Sequence, residues 1–415
     1  MLGAVPGRVV HVLRKYDPLE WGGTETHVAE VTRRLVDLGW EVEVHAPRGP
    51  KTPDAALHPS VPLRRYGSFL PMLGNRERRR GLIKNAGNIV TLDEPLRLAL
   101  DRRTTIAHLH SGGRMGGAVR TAMKLTGRPY VVSAHGPLLA NKSWLENDTA
   151  KRMERIIDIG QPFGLVFGSR RVLDDAARVI SFNEEERVAI ARRVGNRSVR
   201  MDHGVDMERL SSGRATEAGR LIPDLGDAPV VLLIGRLCDQ KNQVFAVEAF
   251  AKGAPASYHL VLAGAATDVG YRGAIERAAA DRGVADRVHI LGNVDRDDVR
   301  HLYARAEVLL ITSTHEAFGL IVLEGWAAGL PVLFPRLAGL ADIADALGHA
   351  EAALTGFEEE EWAAALRILT TDEGARRANA ESGASLVERR YDWGRVTREL
   401  SDLYEEVLAE RRRRP

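Results

Sequence analysis

Short β-branched runs alternate with longer amphipathic runs through most of this 415-residue chain, and that rhythm limits the fold more than any other feature of the sequence. It is the pattern of parallel sheets covered by helices, because a strand buried on both faces needs an apolar run and each parallel return needs a crossover. A first series predicts strands at Arg8 to Leu13, Glu41 to Ala46, Ile106 to His110, Tyr130 to Ala134 and Val179 to Phe182. Between the first two, "THVAEVTRRLVDLGW" places Val28, Val31, Leu35 and Leu38 at helical spacing and stops at Gly39. The stretch from Asp202 to Pro229 breaks the rhythm and reads as a linker. A second series then gives "VVLLIG" from Val230, "YHLVLAG" from Tyr258, "RVHILGN" from Arg287, "EVLLITS" from Glu307 and "PVLF" from Pro331. The final segment, "DWGRVTRELSDLYEEVLAERRRR", is one amphipathic helix with Val396, Leu400, Leu403, Tyr404 and Val407 on its apolar face. The fold class is therefore α/β, with two Rossmann-like domains.

Length agrees, since 415 residues exceed what one hydrophobic core usually supports. With 44% hydrophobic and 27% charged residues, the chain has the composition of a folded protein rather than a disordered one. The single Cys238 excludes an intrachain disulfide and fits a reducing compartment. The start, "MLGAVPGRVVHVL", lacks the features of a signal peptide, so a cytoplasmic location is expected. The apolar stretch from Gly319 to Phe334 is interrupted by Glu324 and is too short for a typical membrane span.

The net charge of +2 conceals an asymmetry: residues 1 to 206 hold roughly 33 Lys and Arg against 23 Asp and Glu, so the first half is basic and the second acidic. Basic clusters at Arg76 to Lys84 and Glu410 to Arg414 suit an anionic acceptor or a peripheral contact with an anionic membrane. An arginine-rich solvated surface is the alternative. Nothing in the pattern calls for nucleic acid.

Three loops at the carboxyl ends of predicted strands carry candidate chemistry. "KYDPLEWGGTETHVAE" sets Gly22 and Gly23 between a strand and a helix, where backbone N–H groups and the helix dipole favour a phosphate. The same glycines would serve a tight strand-to-helix turn. No G-x-G-x-x-G is present, so a nicotinamide dinucleotide site is unsupported. "LLIGRLCDQKN" presents Arg236 and Lys241 at the edge of an open sheet, where such folds bind ligands, and the two cations suit a diphosphate. "PYVVSAHGP" puts His135 at a strand exit, available as a donor, acid or base, with His110 and His203 in similar places. Metal-ligand spacings and a G-x-S-x-G elbow are absent from the sequence.

The fourth candidate is "HEAFGLIVLEGWAAG", which carries two glutamates in an apolar run. If the whole run were helical, the eight steps from Glu316 to Glu324 would turn about 800° and leave the carboxylates on one broad face. Burying an unpaired carboxylate costs several kcal/mol, so the pair implies polar partners. A turn-then-helix reading, with Ala317 to Leu320 as the turn, Glu316 before the helix and Glu324 inside it, is the alternative to one continuous helix.

Taken together these residues resemble a retaining nucleotide-sugar glycosyltransferase of the GT-B fold, of the group-1 or family-4-like kind. "GGTETHVAEVTRRLVDLGWEVEV" resembles that group's glycine loop and first helix, "GRLCDQKN" its G-R-x-x-x-x-K phosphate loop, and "EAFGLIVLE" its E-x7-E motif. The resemblance covers nearly the whole chain. It implies two domains facing each other across a cleft, residues 1–205 on the acceptor side and 206–387 on the donor side, with 388–415 a C-terminal helix crossing back onto the first.

The resemblance also implies roles. Arg236 and Lys241 would neutralise the donor diphosphate and the charge developing on the leaving nucleotide. Backbone N–H groups around Phe318, Gly319 and Leu320 would hold the phosphates or the sugar, Glu316 the sugar hydroxyls, and Glu324 the ribose hydroxyls. Gly22 and Gly23 would close over the diphosphate, and His135 would bond the transferred sugar or the phosphate near the reacting carbon. No metal or other cofactor is implied, because basic side chains and a helix dipole supply the charge. The partners are a UDP- or GDP-sugar donor and a hydroxyl acceptor on a glycan, a lipid-linked or a small molecule.

Two departures from the family pattern stand out: "RLAGLADI" keeps Gly339 and offers Asp342 where relatives have a glutamate, and Asp202-His203-Gly204-Val205-Asp206 replaces Asn-Gly-Val-Asp. A nucleotide-sugar epimerase on the same fold and a non-catalytic sugar-nucleotide-binding component of a synthase complex are the alternative functions.

Overall fold

The computed structural model describes residues 6–16, 22–48, 57–73, 88–136, 157–222, 225–268, 270–348 and 353–413. Residues 17–21 of the glycine loop, the basic cluster Arg76 to Lys84, and Arg414 of the other basic cluster lie outside the described residues. Contacts divide the chain into two compact units, one formed by 1–202 together with 393–415 and the other by 203–392.

The first unit contains β1 (Arg8–Val12), β2 (Glu41–Pro47), β3 (Leu63–Tyr66), β4 (Met72–Leu73), β5 (Ile106–Leu109), β6 (Tyr130–Ala134), β7 (Ile157–Asp158), β8 (Arg178–Ser181) and β9 (Ser198–Arg200). Seven of these form one sheet in the order β3-β2-β1-β5-β6-β8-β9, every pair parallel, while β4 and β7 make a small antiparallel ribbon. The chain runs outward from β1 to β3 and then returns to β5. The β1–β5 junction is thus a topological switch point, the place where crossovers to opposite faces leave an open crevice.

Helix α1 (Gly23–Asp37) buries Val28, Val31 and Leu35, and Gly39 follows it at φ 88°, a left-handed conformation that tolerates glycine best. The last helix, α2 (Trp393–Arg413), belongs to this unit. Its apolar face buries Val396, Leu400, Tyr404 and Val407, the Trp40 indole N–H donates to Ser401 Oγ at 2.8 Å, and Arg178 pairs with Glu406 and Glu410.

The second unit contains β10 (Val230–Ile234), β11 (His259–Ala263), β12 (Val288–Gly292), β13 (Val308–Leu310), β14 (Val332–Pro335) and β15 (Ala353–Leu354), paired in the order β12-β11-β10-β13-β14-β15. All are parallel, and β10–β13 is the switch point. The strands pack against Phe250, Ile275, Trp362 and Leu366, all fully buried.

The stretch from Asp202 to Pro229, which reads as a linker, is packed structure over its described residues. It holds short helices at Met207–Ser211 and Ala215–Ala218. Asp206 accepts from the Arg209 N–H at 3.0 Å, and the Arg214 N–H donates to His301 Nδ1 at 3.1 Å. Gly213 lies so close to the Arg300 carbonyl that a Cβ would sit 2.1 Å from its oxygen. Without a long apolar run, such tertiary contacts leave no periodic signal.

Candidate functional site

At the β10–β13 switch point the loops that follow the two strands meet. Arg236 and Lys241 lie in the loop after β10, which is tied down by one side chain: Gln243 donates to the Arg236 carbonyl at 2.8 Å. Asn242, at φ 52°, turns that loop into the helix Gln243–Gly253. The loop after β13 is bound to it, with the Thr314 N–H donating to the Gln240 carbonyl at 2.8 Å and Gln240 Nε2 to the His315 carbonyl at 2.9 Å. These bonds bring Glu316 against Lys241, and the two form an ion pair in which each side chain is 15% exposed. Burial would push the Glu316 carboxyl up, but Lys241, then Ser313 and His315, hold it below its usual value. Arg236 bonds only loosely across the loop, to Gln240 Oε1 at 3.1 Å among exposed groups.

Helix α3 (Leu320–Ala327) starts directly behind this pair. Gly319 caps it at φ 96°, and a Cβ there would lie 2.0 Å from Leu340 Cδ2, so both backbone conformation and space require glycine. A second helix, α4 (Ala338–Leu347), begins alongside, with Gly339 so near that a Cβ would be 2.1 Å from the Glu316 carbonyl oxygen. The starts of the two helices therefore meet beside Glu316, the partner of Lys241, and the first turn of a helix favours an anion. Phe318 is buried, with its ring 4.7 Å from His203 and 6.0 Å from Tyr391. The unusual His203 of the "DHGVD" stretch thus backs the turn that precedes α3.

Glu324 sits in the second turn of α3, as the turn-then-helix reading expects. Its Oε2 accepts from the Tyr303 hydroxyl at 2.9 Å. Burial raises the Glu324 carboxyl above its usual value, opposed by the Tyr303 bond and by the charges of Arg209 and Arg296. Tyr303, which sequence reasoning missed, is fully buried, and nothing local to it marks a partner 21 residues away.

In the first unit, Gly22 and Gly23 do open α1. The Gly22 N–H already donates to Glu25 Oε2 at 3.1 Å, the one half of a capping box that a glycine N-cap can make, so a carboxylate occupies one of the N–H groups expected to face a phosphate. Burial raises the Glu25 carboxyl, with backbone bonds, Lys15 and Arg14 opposing. His135 lies just past β6 and shares a hydrogen bond with His110 at 2.8 Å. Among the described residues the group of His, Cys, Asp or Glu side chains clustered closely enough to hold a metal is His11, His108 and His110.

Two parallel α/β units, the second carrying a cation–carboxylate pair and converging helix N-termini at its switch point, define the GT-B class of glycosyltransferases. Residues 22–202 match the family described as "Glycosyl transferase 4-like domain" and residues 222–385 the family described as "Glycosyl transferases group 1". The chain belongs to this glycosyltransferase family and is an enzyme that moves a sugar onto an acceptor. It is 27% identical to the D-inositol 3-phosphate glycosyltransferase of Geodermatophilus obscurus, over 97% of this chain and 90% of that one, and 28% identical to that of Salinispora tropica, over 95% and 83%. Among solved structures it is similar to sucrose-phosphate synthase from Thermosynechococcus elongatus, with a TM-score of 0.75 at 20% identity, covering 97% of this chain and 100% of that one. Anabaena HepE in complex with UDP and glucose gives a TM-score of 0.72 at 17% identity, covering 96% and 100%.

Proposed function

We propose that the enzyme transfers a hexosyl unit from a UDP- or GDP-sugar to a hydroxyl of its acceptor with retention of configuration. The observation that carries this reading is the Lys241–Glu316 pair in front of Gly319 and α3: a cation for the diphosphate, converging N–H groups beside it, and a carboxylate for sugar hydroxyls. In this reading Arg236 and Lys241 stabilise the charge that develops on the departing nucleoside diphosphate, in surroundings where fixed charges act more strongly than in water. Backbone N–H groups near Phe318, Gly319 and Leu320 share that load, and Glu316 orients the sugar. Glu324, raised by burial but hydrogen-bonded to Tyr303, accepts from the ribose hydroxyls. His135 contacts the transferred sugar, and Gly22 and Gly23 approach the donor phosphates once the Glu25 carboxylate gives up or shares the Gly22 N–H.

Relatives named for D-inositol 3-phosphate, together with the positive first half of the chain, support an anionic or lipid-linked acceptor. HepE, solved with UDP-glucose, supports a uridine donor. A cytoplasmic enzyme with a peripheral contact to anionic membranes is consistent with the absence, among the described residues, of any helix long and apolar enough to cross a membrane.

The test is a panel of nucleotide sugars with phosphorylated and unphosphorylated polyol acceptors, read by nucleotide release and by thermal shift. Release that depends on both donor and acceptor is expected. No release and no thermal stabilisation by any nucleoside diphosphate would overturn the proposal.

A further inference from the structure

One side of the first unit's sheet is covered by a layer of helical segments. The helices Asp93–Leu100 and Gly113–Leu125 pack side by side. Near their starts the Arg114 N–H donates to Asn88 Oδ1 at 2.7 Å, and at their ends Arg128 donates to the carbonyls of Leu98 and Asp101. Residues 161–171 lie against the second helix, where the Thr121 hydroxyl donates to the Phe167 carbonyl at 3.2 Å. Beneath the layer, Leu98, Met115, Val119 and Val172 share one core with Val10, Val12 and Leu109 of the sheet. The outward side of the layer is also apolar. The six most exposed large apolar side chains among the described residues, Leu92, Leu96, Leu100, Leu125, Leu165 and Val166, all belong to it and are 56–83% exposed. Leu92, Leu96 and Leu100 recur every fourth residue, opposite the buried Glu94 and Leu98, and so form one stripe. A single exposed leucine needs no explanation, whereas six such side chains on one layer make a patch of the kind that marks an interaction surface.

The charges around this patch have one sign. Helix Gly113–Leu125 and residues 159–173 contain no aspartate or glutamate. In Asp93–Leu100 the Glu94 side chain is buried, and the Asp93 carboxylate accepts from the Gly67 N–H at 2.8 Å and from the Thr91 hydroxyl at 2.9 Å. Exposed cations border the leucines at Arg102, Lys124, Arg170 and Arg171. The next acids along the chain, Asp174 and Asp175, are held by Arg193 and by Arg120.

We propose that this layer is the face through which the enzyme docks on an anionic lipid bilayer, with its leucines entering the headgroup region and its bordering arginines and Lys124 meeting lipid phosphates. The proposal rests on the reading of a peripheral membrane contact and names the surface that makes it. Apolar side chains supply burial at the interface, cations supply attraction to anionic lipid, and stable docking takes both. A second copy of the chain suits the face less well. A twofold contact sets a patch against itself, so the four cations would meet cations with no exposed acid of the layer to answer them.

The test is co-sedimentation of the full-length enzyme with vesicles of phosphatidylglycerol and phosphatidylcholine in equal parts, against vesicles of phosphatidylcholine alone. Wild type should bind the anionic vesicles and be released by added salt, which screens exposed cations. The triple variant Leu96→Ser, Leu125→Ser, Leu165→Ser changes only exposed side chains, so its unfolding temperature should match wild type while its vesicle affinity falls on the order of tenfold or more. The double variant Arg102→Glu, Arg170→Glu should lower anionic binding to a similar degree. Transfer to a soluble acceptor should be unchanged in both, since neither touches the donor loops or the strand-end histidines. Wild-type binding that both variants retain would overturn this face and leave the peripheral contact standing. Absence of wild-type binding at low salt would overturn both, while donor-dependent transfer in solution still reads the glycosyltransferase assignment separately. A dimer in analytical ultracentrifugation that the serine variant loses, without vesicle binding by wild type, would overturn the proposal by assigning the face to a second copy.

Discussion

Lys241 and Glu316, 75 residues apart in sequence, close on each other as an ion pair at the switch point of the second sheet. The pairing makes their effects on donor binding interdependent. Removing the ammonium leaves a carboxylate facing the donor diphosphate, so Lys241→Ala should weaken nucleoside diphosphate binding tenfold or more and lower transfer on the order of a hundredfold or more. Adding Glu316→Gln removes the repulsion. The double variant should therefore bind the diphosphate more tightly than Lys241→Ala alone while remaining inactive, a coupling that calorimetric titration of the four proteins reads directly. Additive losses would mean that the two groups do not share one ligand.

Glu324 supplies a pH test with a defined sign. Its carboxyl is raised by burial and held down by the Tyr303 hydroxyl and by the Arg209 and Arg296 charges. If ribose hydroxyls donate to the carboxylate, donor affinity is full above that pKa and falls as pH drops through it. Tyr303→Phe deletes a donor to the ionised form, so the acidic limb of donor binding should move to higher pH, with affinity at alkaline pH nearly retained. Dissociation constants measured from acidic to alkaline pH check this. A uniform loss at every pH would count against it.

Much of this arrangement was legible in the sequence, and the parts that were not have physical reasons. Apolar runs marked the central strands because those strands are buried on both faces. The edge strand Leu63–Tyr66 carries two arginines and Ser198–Arg200 spans three residues, so neither produced a run long enough to read. Gly319, Glu316 and Lys241 stand out in the sequence because loops at strand ends concentrate ligand chemistry in α/β sheets, and the fold brings the three together. Tyr303 left no signal in the sequence, and His203 stood out there only as a strand-end histidine, since the Tyr303–Glu324 bond and the packing of His203 on Phe318 arise only through the tertiary fold. The bonds that join His110 to His11 and to His135 depend on which strands are neighbours, so no local pattern announces them.

Trp326 anchors the donor-side helix, and two small features make room for it. Its indole N–H donates to Asn379 Oδ1 at 3.2 Å, and Gly383 packs so closely that a Cβ would lie 2.1 Å from Trp326 Cγ. Gly383→Ala should cost about 1–3 kcal/mol by overpacking, despite the higher helix propensity of alanine, and should appear as a lowered unfolding temperature. Because α3 would shift with Trp326, donor KM should rise as well. A neutral or raised melting temperature would show that the helix pair has slack to absorb the methyl group.

The first unit contains a buried charge network whose pH behaviour can be worked out. Glu43, 2% exposed, is ion-paired with Arg8 and Arg64 and hydrogen-bonded to His45, which also bonds Glu94 at 2.6 Å. Burial would raise the Glu43 carboxyl, but the bonds from His45 and Arg64 and the charge of Arg8 bring it down to about 2 from an ordinary 4.5. A depressed acid stabilises the fold above its unfolded value and loses that contribution as pH falls through the folded one. A difference of this size corresponds to roughly 3 kcal/mol lost between about pH 4.5 and 2. His45 has the opposite sign: burial would lower it, yet Glu43 and Glu94 raise it above 6.5, so its stabilisation is complete below that value and fades as pH rises through the higher folded pKa. The melting temperature of the first unit should therefore be greatest in the mildly acidic range and decline on both sides. Glu43→Gln takes from Arg8 its most buried anion and from Arg64 its partner, while Asp101 at 3.1 Å and Glu41 at 3.5 Å still face Arg8, so it should lower stability at neutral pH by up to about 3 kcal/mol and flatten the acidic limb. Scanning unfolding of wild type and variant from pH 3 to 8 distinguishes this from a network of no net value, for which the two curves would run parallel.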